Sequence, residues 1–278
     1  MPHSQALDAF GNLTYVTPIS RTVADTALML QAMAGEDPSD PWSAGVGACD
    51  YLAATQSMAD LRGKRVLFAL APSGRPIASD VRECFWGAMA KLQDLGAEPV
   101  EMATDGWDIE PLWRTINHTV WRARFASLAE QNPAEISPSL IRQLELANRY
   151  SAVDYQSANF ERTRLFRRVQ HLLAEADFIA VPTLSRTAPS IEQDLFDPLE
   201  IDGRSYAELR PNWFPWTMPF NLTGHPAISL HCGFGADGLP VGIQLIGRLR
   251  GEAALLQAGA LFERALDLLG HRPHLETR

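Results

Sequence analysis

Between residues 64 and 102 the chain runs strand, helix, strand, and this rhythm limits the folds open to it more than any other feature. Lys64-Arg65-Val66-Leu67-Phe68-Ala69-Leu70 is a short apolar run suited to a buried strand. Ser79 or Asp80 can cap a helix that reaches about Leu95 and stops at Gly96, and Ala97 to Met102 reads as the next strand. That alternation argues a parallel sheet covered by helices. With 278 residues and 46% hydrophobic content, the chain has the apolar material for a large core.

The flanking segments fit the same class. Thr22 is a good N-cap for a helix over 22–34, with Asp25 in the place of a capping-box Glu. Residues 107–150 read as largely helical and rich in Trp, and a long helix spans roughly Ala152 to Ala176. It leads into Asp177-Phe178-Ile179-Ala180-Val181-Pro182-Thr183, a buried strand ending at proline. The polar, Pro-rich stretch 184–212 reads as a long surface loop. Ala227 to His231 and Val241 to Ile246 form a hairpin around the turn residues 235–240, and Glu252 to Leu269 closes the chain as an amphipathic helix.

Charge and cysteine usage narrow the function. A net charge of -9 opposes phosphate backbones, so no nucleic-acid partner is expected. Cys49, Cys84 and Cys232 are far apart and form no CxxC pair, which suggests neither zinc nor a disulfide framework. The first six residues lack the basic and apolar regions of a signal peptide, and no apolar run approaches the ~20 residues a membrane span needs. The expectation is a soluble cytoplasmic protein without a membrane partner.

Three segments together resemble the amidase-signature family. The first runs from Gly11 to Leu30 and includes Pro18-Ile19-Ser20-Arg21-Thr22-Val23-Ala24-Asp25. The second is Ala176 to Thr183, ending in Pro-Thr. The third, and most specific, is Thr217-Met218-Pro219-Phe220-Asn221-Leu222-Thr223-Gly224-His225-Pro226-Ala227-Ile228-Ser229, continued by Gly238 to Gly247. The resemblance implies an α/β fold with a mixed β-sheet flanked by helices. It implies hydrolysis of a small amide through an acyl-enzyme on Ser, with a second Ser and a Lys relaying protons and no cofactor. A hydroxyl needs an adjacent base, and a desolvated Lys can be neutral enough to serve.

The catalytic segment of that family has no counterpart here. No Gly/Ser-rich run occurs, and the two lysines, Lys64 and Lys91, sit where solvated surface lysines belong. Residues 1–278 are therefore expected to be the C-terminal portion of a single amidase-signature domain whose catalytic N-terminal segment is absent. Its partners would be a small-molecule amide and either that segment or another subunit. The alternative is a non-catalytic remnant or partner subunit. A nucleotide-binding module built on 64–102 lacks any Gly-rich loop.

The expected substrate-binding residues are Trp113, Thr183, Phe214, Trp216 and Thr217. In the corresponding subunits of amidotransferases the position of Phe214 is typically an Asp that reads the glutamine amino group, so Phe214 points away from glutamine and toward an apolar or aromatic group. Asn221 and Thr223 are expected to tie loop backbone together. Arg21 is expected to pair with a carboxylate around Pro18. Arg162, Arg164, Arg167 and Arg168 are expected to form a solvated face balanced by Glu161 and Glu175. His231 and Cys232, adjacent on a strand, point to opposite faces and do not suggest a metal site.

Overall fold

The computed structural model of the chain describes residues 7–11 and 13–271; the stretch Met1 to Ala6 and Asn12 of the first motif lie outside them. The strands are β1 (Arg65–Phe68), β2 (Glu98–Glu101), β3 (Phe178–Pro182), β4 (Leu199–Ile201), β5 (Arg204–Tyr206), β6 (Ala227–Phe234) and β7 (Pro240–Ile246). Five of them make one mixed sheet in the order β2-β1-β3-β7-β6. β2, β1 and β3 run parallel, as the strand-helix-strand rhythm implied, and β7 and β6 join them antiparallel. All five residues of β3, at the sheet's centre, are buried. Both faces are covered, which is why the strand reads as an unbroken apolar run.

The two faces carry separate cores. Val66, Phe178, Ala180, Ile243 and Leu245 point to one, packed by α3 (Ser79–Asp94), α1 (Val23–Met33) and the C-terminal helix Glu252–Leu266. Leu67, Ile179, Val181 and Ile246 point to the other, with residues of α4 (Glu110–Gln131) and α6 (Ala152–Glu175). The remaining helices are α2 (Tyr51–Ala54), α5 (Pro138–Leu146), α7 (Leu209–Trp213), α8 (Thr217–Thr223) and α9, the Glu252–Leu266 helix. The Asp177 carboxylate accepts from Lys64 Nζ and from Arg65 N, both at 3.0 Å, and pins the start of β3 to that of β1.

Two expectations need correction. Neither Ser79 nor Asp80 caps α3: the N-cap is Ala78, and the Asp202 carboxylate accepts from Ser79 N at 2.9 Å instead. The stretch 184–212 is not a structureless loop. It holds the β4–β5 hairpin and α7, with Leu199, Ile201 and Leu209 buried in the core. Asp202 (φ 50) and Gly203 (φ 73) form the hairpin's tight turn, which demands positive φ at both positions. The same Asp202 thus turns one hairpin and caps a helix elsewhere in the chain.

Candidate functional site

The third motif builds a short helix with a wall in front of it. Gly224, at φ 70, ends α8 in the left-handed conformation that a side chain would resist, and its N–H closes on Phe220 O. One turn earlier, Asn221 faces α4. Its Oδ1 accepts from Trp113 Nε1 at 3.2 Å and its Nδ2 donates to Leu13 O at 2.9 Å. One amide side chain therefore joins the first motif, α4 and α8. Thr223 Oγ1 lies 3.0 Å from His225 Nδ1.

In front of this junction lies a cavity of about 510 Å³, bordered by Leu13, Thr14, Tyr15, Trp113, Asn117, Trp121, Arg124, Phe125, Phe214, Thr217, Met218 and Asn221. It brings together Trp113, Phe214 and Thr217 of the residues expected from sequence. Trp216 is not on its wall: it is 1% exposed, its Nε1 donates to Leu70 O at 3.0 Å, and its ring meets Trp107 edge-on. Thr183 also lies elsewhere. It borders a second cavity of about 350 Å³ with Ser229, His231 and Arg186, and its Oγ1 is 2.7 Å from Ser229 Oγ. Sequence reading missed Asn117, Trp121 and Phe125. The available signal was their spacing from Trp113 at i+4, i+8 and i+12, which puts all four on one face of α4.

A buried cation stands behind the wall. Arg210, 5% exposed, lies 4.7 Å from the Trp113 ring centre, 5.9 Å from that of Trp121 and 5.8 Å from that of Phe214. Its guanidinium donates to Gln143 Oε1. Burial pulls its pKa down to about 10, helped by Arg114 nearby, so it stays charged at neutral pH. Arg114 itself is held between Glu110 and Glu208. Beside them His118 is fully buried, and desolvation, then the two arginines, lower its pKa to about 4. The wall is therefore largely aromatic, with the exposed Arg124 at one part of its border, and is backed by fixed positive charge at Arg210.

The basic run on α6 is not a solvated face throughout. Arg162 donates to Leu222 O, and Arg168 donates to Asp105 O at 2.8 Å and Gly106 O at 3.0 Å while stacking on Trp107. Arg164 pairs with Glu161, whereas Glu175 faces His171. Among the described residues Arg21 has no carboxylate partner, contrary to expectation, and no cluster of metal-binding side chains occurs. Lys64 is paired with Asp177 at 3.0 Å and Lys91 with Asp94 at 3.6 Å. No helix among the described residues is long and apolar enough to cross a membrane.

Comparison with known proteins agrees with this architecture. The amidase family model matches residues 1–256. An acylamidase from Rhodococcus erythropolis is 33% identical over 98% of this chain and 57% of its own length. The A subunit of the glutamyl-tRNA(Gln) amidotransferase from Chloroflexus aggregans is 30% identical over 97% of this chain and 58% of its own. The solved structure of a bacterial aryl acylamidase of the amidase-signature enzymes superposes with a TM-score of 0.79, at 23% identity, over 96% of this chain and 58% of that one. The fold is that of the amidase-signature enzymes, a mixed sheet between helical layers. The chain belongs to the amidase family, and it spans somewhat over half the length of the curated relatives it matches.

Proposed function

We propose that these residues form the substrate-binding part of an amidase that hydrolyses the C–N bond of a small apolar or aromatic amide. The observation that carries this is the aromatic-walled cavity of about 510 Å³ against the Thr217–Thr223 helix. Trp113, Trp121, Phe125 and Phe214 suit a ring or short apolar chain, and Phe214 offers no carboxylate to an amino group. The Rhodococcus relative being an acylamidase fits such a substrate. Trp113, Phe214 and Thr217 are the residues we assign to substrate contact. Trp216 packs in the core against Trp107 and is not assigned to substrate contact. Thr183, in the second cavity, is left as a contact to a more remote part of the substrate or to a partner.

The Ser-Ser-Lys set of the family is, in this reading, supplied by residues other than these 278. The sequence holds no Gly/Ser-rich segment, and both lysines are engaged with aspartates. The acyl group of the amide would pass to a Ser of that other segment as the C–N bond breaks and the amine leaves with a proton. Water would then hydrolyse the resulting ester, while this part holds the substrate. Three cysteines without a disulfide fit a cytoplasmic setting. The second reading is a non-catalytic partner or remnant, and the same engaged lysines favour it.

The test is amide hydrolysis by the 278-residue chain, alone and after addition of a family segment carrying the Gly/Ser-rich motif. Aryl and aliphatic amides are the panel, with amine or ammonia release as readout. Activity only with the segment, reduced by Phe214→Ala, is the expected result. Binding of the amides without turnover in either mixture would favour the partner reading. Turnover by the chain alone, abolished by a point change within it, would overturn the placement of the catalytic set.

A further inference from the structure

On the cavity wall Asn117 is a buried side chain with an acceptor that the protein leaves unspent; Thr14 and Arg124, also on the wall, are exposed. Asn117 sits on α4 between Trp113 and Trp121 and is 5% exposed. Its Nδ2 donates to Trp113 O, one turn back, at 3.0 Å. A carbonyl only accepts, so the amide nitrogen must be the atom that faces it, and this fixes Oδ1 on the opposite side. Oδ1 has no partner among the described residues, yet it is not sealed from solvent as the two His118 ring nitrogens are. The other side-chain amide of the wall, Asn221, spends its oxygen on Trp113 Nε1 and its nitrogen on Leu13 O. Thr217 spends its hydroxyl proton on Phe214 O.

An apolar site that keeps a buried acceptor without a donor discriminates against ligands that cannot supply one, because filling the site with them removes water and leaves the acceptor unpaired. We propose that Asn117 is a specificity-determining residue: its Oδ1 accepts a hydrogen bond from an N–H of the bound amide. The site then takes primary and secondary amides in preference to fully N-alkylated amides, esters and ketones of the same shape. The proposal rests on the cavity being the amide site and goes further by naming which amides it takes. The adjacent aromatic rings hold the apolar part, and Asn117 sets the rotation of the amide plane.

The test uses two planar ligands of equal size, benzamide and acetophenone, which differ in NH2 against CH3. Dissociation constants come from ligand-observed NMR with the full 278-residue chain. Benzamide should bind about two- to twelvefold tighter, a ratio set by about 0.5–1.5 kcal/mol for one net hydrogen bond. Asn117→Leu, checked for folding by circular dichroism, should bring the ratio to about one by weakening benzamide and not acetophenone. The Trp113 carbonyl keeps its helical bond, so the variant strands no group. Asn117→Ser, whose hydroxyl can still reach back to Trp113 O and present a lone pair, should recover part of the ratio and serves if the leucine variant does not fold. Equal affinities in the unaltered chain, or a ratio that survives Asn117→Leu, would overturn the assignment. Phe214→Ala is the control for location. If neither ligand binds, or if neither responds to Phe214→Ala, the cavity reading falls and this proposal falls with it. If both bind and both respond to Phe214→Ala but with equal affinity, only the role of Asn117 falls.

Discussion

Trp113 Nε1 and Asn221 Oδ1 lie 3.2 Å apart and join two helices 108 residues distant in the chain. Asn221 passes the link on to Leu13 O, so three of the segments that border the cavity meet at one side chain. Removing it leaves an indole N–H and a carbonyl without their partners, and each such loss is worth about 1 kcal/mol or more when buried. Asn221→Ala should therefore cost about 1–3 kcal/mol in urea unfolding and should weaken amide binding as well, because Trp113 loses its orientation. An effect below about 0.5 kcal/mol would mean that the link is not formed in solution.

Trp216 and Trp113 look alike in sequence and have different tasks. Trp216 is buried among Trp107 and Phe220 with its indole N–H on Leu70 O, two residues past the end of β1. Trp216→Phe loses that hydrogen bond and part of the ring's volume, which should cost about 2–4 kcal/mol. Ligand affinity at the cavity should change by less than twofold, since the ring does not touch it. The opposite pattern, full stability with lost binding, would restore Trp216 to the wall.

How much of this was legible in the sequence depended on whether a signal was local. β1 and β3 could be read because Val66, Leu67, Phe178 and Ile179 are apolar on alternate faces and both faces are buried, whereas β2, at the sheet edge and largely exposed, was legible only from its place after the helix. The segment 184–212 could not, because its anchors Leu199, Ile201 and Leu209 stand singly among polar residues and find their partners far away in the chain. The Asp202-Gly203 turn was a readable hairpin signal that composition masked. Capping of α3 by Asp202, 123 residues from Ser79, is a tertiary contact and has no local trace.

The same distinction governs the site. Trp113, Phe214 and Thr217 were found through motif and composition, and the structure brings them to one cavity. Asn117 and Trp121 carried a local signal, the four-residue stripe on α4, that was read only as helix. Thr183 stands at the end of a parallel strand, where open sheets often place ligands, but here the strand end opens toward Ser229 and not toward the aromatic wall. Arg210 was invisible as a functional neighbour because its role depends on burial, which its residue type argues against.

Glu263 supplies a cap across the fold. Its Oε1 accepts from Val23 N at 2.9 Å, 240 residues away, at the helix start where Thr22 Oγ1 already accepts from Asp25 N. The first turn of α1 thus has two of its free N–H groups satisfied, one locally and one by α9. Glu263→Ala should cost about 0.5–2 kcal/mol, and Glu263→Gln, which keeps an oxygen acceptor, should cost less than half as much. Chemical denaturation of the two variants decides this. If the glutamine variant is as damaged as the alanine one, charge and not the hydrogen bond is what Glu263 contributes.

Two buried histidines should make the fold sensitive to mild acid. His118 and His225 both have their pKa lowered from 6.5 to about 4 by burial; at His118 the charges of Arg114 and Arg210 add to the shift and Gln143 opposes it. Above pH 6.5 both rings are neutral whether the chain is folded or not, and neither affects stability. As pH falls from 6.5 toward 4, the unfolded chain takes up protons that the folded chain refuses, so stability is lost across that window by up to about 1.4 kcal/mol per pH unit for each ring. Asp37, Asp60, Asp154 and Asp237 are shifted down from 3.8 and act below it. Glu263, raised from 4.5 by burial, offsets part of the loss near the window's lower end. His118→Phe isolates the histidine share: neither ring nitrogen has a partner at hydrogen-bond geometry, and Gln143 beside the ring is already bonded to Ser139 O and Arg210, so the change strands no partner and the ring can keep its stack on Trp121. Denaturant midpoints measured at pH 7 and pH 5 should converge in this variant by about half of the difference seen in the unaltered chain. An unchanged difference would mean that His118 takes up its proton while folded, which requires water or a rearranged Gln143 beside the ring.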